Sequence, residues 1–324
     1  MIKSSEAVSP KRKLFAPKSK AHKKETVFIL LMLAIPFVNF LVFWLYPNFR
    51  AITIAFEVPS IEGFTLYNFE RFFSELFSDV TGPKMWKMID NSFIIFVVGT
   101  FINLPLVLFM SYIMFKKIAG YKVFRVLFYL PSILGAAVMS QIYKSLLMTG
   151  GPVEKLMEIL QIPMSDMTRF AGLLNSPETG IWMMVIYVLW TGVGTNMIMF
   201  SGAMNRVPQE IFESARIDGV GFFREFFSII LPLIWPTVTT MVVFSMVGIF
   251  SNSGLVMLLA PENEAVHNIG FYILRYTLNA NNTVRVEDTF CYPAAIGLIF
   301  TAVNIPMVFG VKALCDRINK NVEY

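Results

Sequence analysis

Glu213-Ser214-Ala215-Arg216-Ile217-Asp218-Gly219 brings two carboxylates, two small residues and a glycine together between two long apolar runs. Such a set suits recognition at an interface rather than the making or breaking of bonds. Pro208 can open a short helix with Glu210 and Glu213 in its first turns, where carboxylates favour the N-terminal dipole. Ile211, Phe212 and Ala215 then form an apolar patch at helical spacing, the small residues at 214 and 215 allow a partner to approach closely, and Gly219 ends the helix. The same amphipathic pattern can also lie flat on an inner membrane leaflet.

Residues for catalysis are present but not arranged for it. Cradling a nucleotide phosphate needs a glycine-rich loop closed by Gly-Lys, and the chain has no Gly-Lys dipeptide. Its Ser, Asp and Glu residues form no nucleophile elbow and no paired-carboxylate spacing. Cys291 and Cys315 fall at opposite ends of the last apolar run, and His22 and His267 fall on opposite faces, so neither a disulfide nor a metal site is expected. The chain reads as a non-enzyme without a cofactor of its own.

The elements that position these residues are membrane spans. Apolar residues make up 56% of the 324-residue chain, Phe alone contributes 32, and the mean hydropathy is +0.62. A soluble domain with that composition would expose large apolar patches. Since roughly 20 apolar residues cross a bilayer core, the charge-poor runs predict six helices: Val27–Pro47, Ser92–Phe115, Val126–Tyr143, Ile181–Met204, about Pro236–Leu259, and Tyr292–Val311. Trp44, Tyr46, Trp182 and Tyr292 stand near span ends, as interfacial aromatics do.

Segments 1–26, 116–125, 206–225 and 312–324 hold eight, four, three and three of the 27 Lys and Arg residues. The positive-inside rule therefore puts both termini in the cytoplasm, in agreement with an even number of spans. The basic tail around Lys11-Arg12-Lys13 reads as a topology anchor rather than a nucleic-acid arm or a cleaved signal. The expected organisation is a basic tail over 1–26, a six-helix domain over 27–315 containing a cytoplasmic loop over 206–231, and a tail over 316–324.

In full, the loop Glu213-Ser214-Ala215-x3-Gly219-x9-Ile229-x-Leu231-Pro232 resembles the signature loop E-A-A-x3-G-x9-I-x-L-P of the permease subunits of binding-protein-dependent ABC importers, with Ser214 in place of the usual Ala. Phe124-Arg125-Val126-Leu127-Phe128-Tyr129-Leu130-Pro131 and Trp190-x-Gly192 extend the resemblance to the carbohydrate branch, which includes the larger membrane subunit of the maltose importer. The resemblance runs from about Asn91 onward. The maltose subunit's extra N-terminal helices and large external domain have no counterpart here, so the shorter oligosaccharide permeases are the better likeness.

The resemblance implies an all-α, type I importer permease in a bacterial plasma membrane, working by alternating access. Glu213, Ser214, Ala215, Asp218 and Gly219 would belong to a coupling helix docked on a cytoplasmic ATPase subunit. The implied partners are a second homologous permease, two ATPase subunits, an extracytoplasmic solute-binding protein and the lipid bilayer, with no nucleic acid. By position relative to Pro208 and Pro232, Trp190, Thr191, Gly192, Thr195 and Asn252 fall where the maltose subunit holds sugar, and Ala136 falls near another contact.

Sugar recognition in a membrane cavity calls for aromatic faces and for hydroxyl or amide groups turned away from lipid. On the fifth span Ser245, Gly248, Ile249 and Asn252 recur at three and four residues and form one small and polar stripe, with Asn252 in mid-helix. Small and polar residues in spans also serve helix packing. The expected function is passage of an oligosaccharide, with glycerol phosphate, a polyol or an acidic oligosaccharide as alternatives. A secondary transporter is a distant alternative, because the spans lack mid-membrane ionisable residues for ion coupling.

Overall fold

The computed structural model describes residues 20–58, 63–279 and 290–318, so the predicted anchor Lys11-Arg12-Lys13 and the end of the C-terminal tail lie outside the described residues. All regular elements among those described are helical. The chain divides into two units, Met1–Thr53 and Ile54–Tyr324. The first is dominated by α1 (Thr26–Ala55), apolar on every side and exposed as far as Ile52, as a helix solvated by lipid requires.

The second unit contains α2 (Tyr67–Leu76), α3 (Gly82–Phe115), α4 (Tyr121–Ile133), α5 (Ala136–Leu147), α6 (Pro152–Ile159), α7 (Asp166–Ala171), α8 (Gly180–Met204), α9 (Gln209–Ile217), α10 (Phe222–Leu233), α11 (Trp235–Val247), α12 (Gly254–Leu259), α13 (Ile269–Asn279) and α14 (Cys291–Ile318). Four helices, α1, α3, α8 and α14, are long and apolar enough to cross a bilayer, and two bent pairs bring the number of spans up to six.

One bent pair, α10 and α11, turns by 70° at Ile234, just ahead of the helix start predicted at Pro236, whereas two of the predicted helices are interrupted. The expected helix Val126–Tyr143 is broken at Leu134 and Gly135, whose ψ angles are 140° and 142°, and the helices on either side are bent by 103°. Gly135 is a weak helix former just beyond Pro131, which already removes a donor from the ladder. The expected helix Pro236–Leu259 stops at Val247 and resumes as α12. Gly248, Ser251, Asn252, Ser253 and Gly254 crowd that gap, and each favours a turn or cap over a helix interior.

Proline also explains a local widening of the helical ladder. Three π-helical stretches, Phe40–Leu45, Val98–Asn103 and Phe226–Ile230, end just before Pro47, Pro105 and Pro232. A proline offers no N–H and crowds the carbonyl four residues back, so the preceding turn shifts to longer bonds without ending the helix.

Helix α8 is apolar on all sides and forms the hub of the second unit. Its upper half joins a core with Tyr143, Val256 and Leu259, and its lower half joins one with Leu104, Tyr112, Phe226 and Ile230. A third core gathers Phe72, Met85, Ile249, Phe250, Tyr292 and Phe300. At the upper end, amides hold the irregular segment 260–268. Asn91 Nδ2 donates to the carbonyls of Ala265 and His267, both at 2.9 Å, and Asn263 Nδ2 donates to those of Leu174 and Ser176, both at 3.2 Å. Asn268 Nδ2 donates to Asn252 O at 2.7 Å. These bonds satisfy backbone acceptors that no helix covers.

Candidate docking helix and substrate-contact residues

The charged loop folds as its spacing predicts. Pro208 caps α9 with φ −57° and ψ 137°, and Glu210 stands in the first turn. At the other end Gly219 adopts φ +68°, Val220 N–H donates to Ala215 O at 2.9 Å and Gly219 N–H donates to Arg216 O at 3.1 Å. This pair of bonds is a Schellman motif, and it needs a left-handed residue at 219 that glycine supplies without a Cβ penalty.

The face α9 presents differs from the predicted patch. Phe212 and Ala215 are 8% and 5% exposed, and Phe212 packs on Phe115 with ring centroids 5.3 Å apart. They fasten the helix to its own chain, so Ala215 is not part of the outward surface. Glu210, Glu213, Ser214 and Asp218 face outward, together with Ile217 at 87% exposure, while Arg216, one turn beyond Phe212, is exposed toward a cavity beside the helix.

Behind α9, an ion pair and an aromatic cluster join the start of α10 to the end of α3. Lys116 Nζ lies 2.5 Å and 2.7 Å from the two carboxylate oxygens of Glu225, whose side chain is 5% exposed. Tyr112 donates its hydroxyl to Phe222 O at 3.3 Å, and its ring centroid lies 4.8 Å from that of Phe222 and 5.0 Å from that of Phe226. Sequence reasoning missed this brace. Its only trace was two charges, Lys116 and Glu225, each abutting an apolar run.

The predicted sugar contacts do not form one stripe. Asn252 lies in the gap between α11 and α12, exposed, and is not in mid-helix. Ser245 donates its hydroxyl to Met241 O at 3.0 Å, Gly248 caps α11, and Ile249 is buried in the third core. On α8, Trp190 is 40% exposed with its ring 6.2 Å from that of Tyr143, Thr191 donates to Tyr187 O at 2.8 Å, and Thr195 is exposed.

Gly192 has a packing reason to be glycine. A Cβ there would collide with Asn103 Nδ2, which donates to Val188 O at 3.1 Å. Ala136 is exposed at the start of α5 beside the break. A cavity of about 310 Å³ next to the α11–α12 gap is lined by Phe250, Ser251, Ser253, Phe300, Thr301 and Asn304 among others. It combines aromatic faces with hydroxyl and amide groups, and none of the nine predicted contacts lines it.

At the upper end two groups outside the spans have shifted acidities. Lys84 Nζ lies 3.1 Å from Glu264 Oε2, and its hydrogen bond and charge hold that carboxyl below its ordinary range. His267 is 2% exposed with Nε2 2.9 Å from Pro261 O, and burial pushes its imidazole below the ordinary value.

Residues 25–320 match the family described as binding-protein-dependent transport system inner membrane component. The chain belongs to that family. It is therefore the membrane-spanning permease of a transport system in which separate ATPase subunits hydrolyse ATP. The permease is 24% identical to the arabinooligosaccharides transport system permease protein AraP of Bacillus subtilis over 83% of its own length and 82% of that protein's. It is likewise 24% identical to the multiple sugar-binding transport system permease protein MsmF of Streptococcus mutans, over 86% and 92%.

Against the maltose/maltodextrin transport system permease protein MalF of Shigella flexneri the identity is 25%, over 78% of this permease and 50% of MalF. In fold it is similar to a bacterial ABC transporter involved in the import of the acidic polysaccharide alginate (TM-score 0.74, 18% identity, 91% of this permease and 97% of that chain). It is also similar to a chain of the bacterial alginate transporter in complex with alginate pentasaccharide-bound periplasmic protein (TM-score 0.75, 19% identity, 93% and 98%). The all-helical type I importer fold expected from the signature loop is thus the fold observed.

Proposed function

We propose that this permease passes an oligosaccharide, received from an extracytoplasmic solute-binding protein, across a bacterial plasma membrane by alternating access driven by ATP hydrolysis in its partners. The observation that carries the reading is α9. It is a short helix pinned to its own chain by Phe212 and Ala215, ended by a left-handed glycine, and charged on the face turned outward. The oligosaccharide assignment draws on the arabinooligosaccharide, multiple-sugar and maltodextrin relatives.

Glu213, Ser214, Asp218 and Gly219 form the contact with an ATPase subunit, while Ala215 acts from behind by anchoring the helix. A single docking helix meets a single ATPase, so a second, homologous permease completes the pair. Both termini lie in the cytoplasm, and ATP and Mg are held by the ATPases. Asn252, Trp190, Thr195 and Ala136 are exposed and meet the sugar, Thr191, Gly192, Ser245 and Gly248 are half-buried near them in sequence, and Ile249, buried in the third core, acts through packing.

The test is uptake by cells lacking this permease, supplied with labelled neutral oligosaccharides, an acidic oligosaccharide and glycerol phosphate. Loss of neutral oligosaccharide uptake alone, restored by the intact gene, is the expected result. Undiminished uptake of every oligosaccharide, with loss of glycerol phosphate uptake, contradicts the assignment.

A further inference from the structure

A cavity of about 450 Å³ opens between α9 and the segment joining α3 to α4, and its wall carries Lys116, Lys117, Arg125 and Arg216 without a single carboxylate. Glu225 pairs Lys116 from behind. Among the described residues no carboxylate pairs Lys117, Arg125 or Arg216, although Arg125 lies 5.7 Å from the centroid of the Tyr129 ring. Tyr121, Asn205 and Gln209 add neutral polar groups to the same wall. Three cations facing one space repel one another unless an anion sits between them.

The cavity does not end there. Arg125, Tyr129, Ser201 and Asn205 are shared with an adjoining cleft of about 530 Å³ that runs between α4 and α8 past Ile133 and Ile198. Gly202 also lines that cleft, and a Cβ built on it meets nothing within 4 Å. Gly202 is exposed, so the cleft stays open at that position and a larger side chain there would fill it.

We propose that this joined cavity and cleft bind an anionic phospholipid. Its phosphate sits among Lys117, Arg125 and Arg216, and one acyl chain lies along Ile133, Ile198 and Gly202. A cationic pocket at the end of two apolar helices, continued by an apolar cleft along them, matches a molecule with a charged head and a hydrocarbon tail. A carboxylate-rich segment of a soluble partner fits the first half only. The cleft ends three residues from Thr195 along α8 and three from Ala136, so the acyl chain lies next to the proposed sugar contacts, while the headgroup site does not depend on which solute is carried.

The test uses the full chain with the subunits that co-purify, stripped of lipid in detergent and titrated with dioleoyl phosphatidylglycerol, with phosphatidylcholine of the same chains, and with glycerol 3-phosphate. Binding is read by native mass spectrometry. Saturable binding is expected for phosphatidylglycerol alone. Lys117→Gln/Arg125→Gln/Arg216→Gln should weaken it on the order of a hundredfold, three cations being lost from the headgroup site.

Gly202→Leu, whose side chain fills open space, should weaken the same binding without lowering the thermal midpoint of the lipid-free protein. Equal binding of phosphatidylcholine, or glycerol 3-phosphate binding as tightly as the lipid, overturns the proposal. So does phosphatidylglycerol binding unchanged in both variants, and so does loss of the co-purifying subunits from the triple variant with lipid binding intact.

Discussion

Lys116→Met removes the cation from a carboxylate that has almost no access to water. Glu225's side chain is 5% exposed and Lys116's is 18% exposed, so the pair belongs to the buried class, in which deleting one partner strands a charge. The expected loss is about 3–5 kcal/mol, against about 0–1 kcal/mol for a solvated pair. Replacing both residues with apolar ones, Lys116→Met with Glu225→Leu, removes the stranded charge and should restore most of that loss, because Tyr112, Phe222 and Phe226 already surround the site with apolar surface.

Denaturant midpoints of the detergent-purified chain, measured as a double-mutant cycle, give the coupling energy directly. The brace ties the segment after α9 to the end of α3, so the single variant should also lose transport while the double variant keeps part of it. A loss under about 1 kcal/mol for Lys116→Met, or a double variant less stable than either single one, would refute the reasoning.

Four further outcomes follow. Glu213→Ala should weaken ATPase co-purification by about 1.5–3 kcal/mol, the worth of a charge-assisted bond, while the chain still inserts; unchanged pull-down and uptake would remove Glu213 from the docking face. Gly192→Val should lower stability by about 1–3 kcal/mol by overpacking against Asn103, and an unchanged melting temperature would show that Asn103 moves aside freely. Asn252→Ala should leave stability within about 0.5 kcal/mol, because the residue is exposed in the α11–α12 gap, and should lower uptake; the reverse pattern would make Asn252 a packing residue. His267 titrates below its ordinary 6.5 when folded, so its contribution is fully present above that pH and is lost as pH falls below it, with a slope of at most about 1.4 kcal/mol per pH unit. His267→Gln should flatten the acid side of the melting profile, and an identical profile would mean the histidine is not the titrating group.

What the sequence made legible was whatever depends on local spacing. Apolar runs located the membrane helices, and the order Pro208, Glu213, Gly219 located α9 down to its left-handed cap, because capping chemistry acts within a few residues. Direction was harder to read. Whether Ala215 turns toward a partner or toward Phe115 and its neighbours depends on what lies behind the helix, and helical spacing serves both equally well.

The stripe Ser245, Gly248, Ile249, Asn252 assumed an unbroken helix. The local preferences of Gly248 through Gly254 were the warning against it, but in an apolar run they compete with membrane burial, and the winner is decided by packing. Lys116 and Glu225 stand 109 positions apart, and the Asn91 amide caps carbonyls 174 and 176 positions away, so neither contact leaves a periodic mark.

The central claim, that α9 transmits ATP hydrolysis to movement of a solute through this permease, is tested most directly in proteoliposomes. The complex is reconstituted with ATP inside and a loaded solute-binding protein outside, and oligosaccharide uptake and ATP turnover are measured together for the intact chain and for Gly219→Val. The substitution forces a β-branched residue into a φ of +68° and so removes the turn that ends α9. The account predicts uptake only when ATP and binding protein are both present, and loss of uptake with residual, unstimulated ATP turnover in the variant. Uptake that proceeds without ATP, or a Gly219→Val complex that transports at the intact rate, contradicts it.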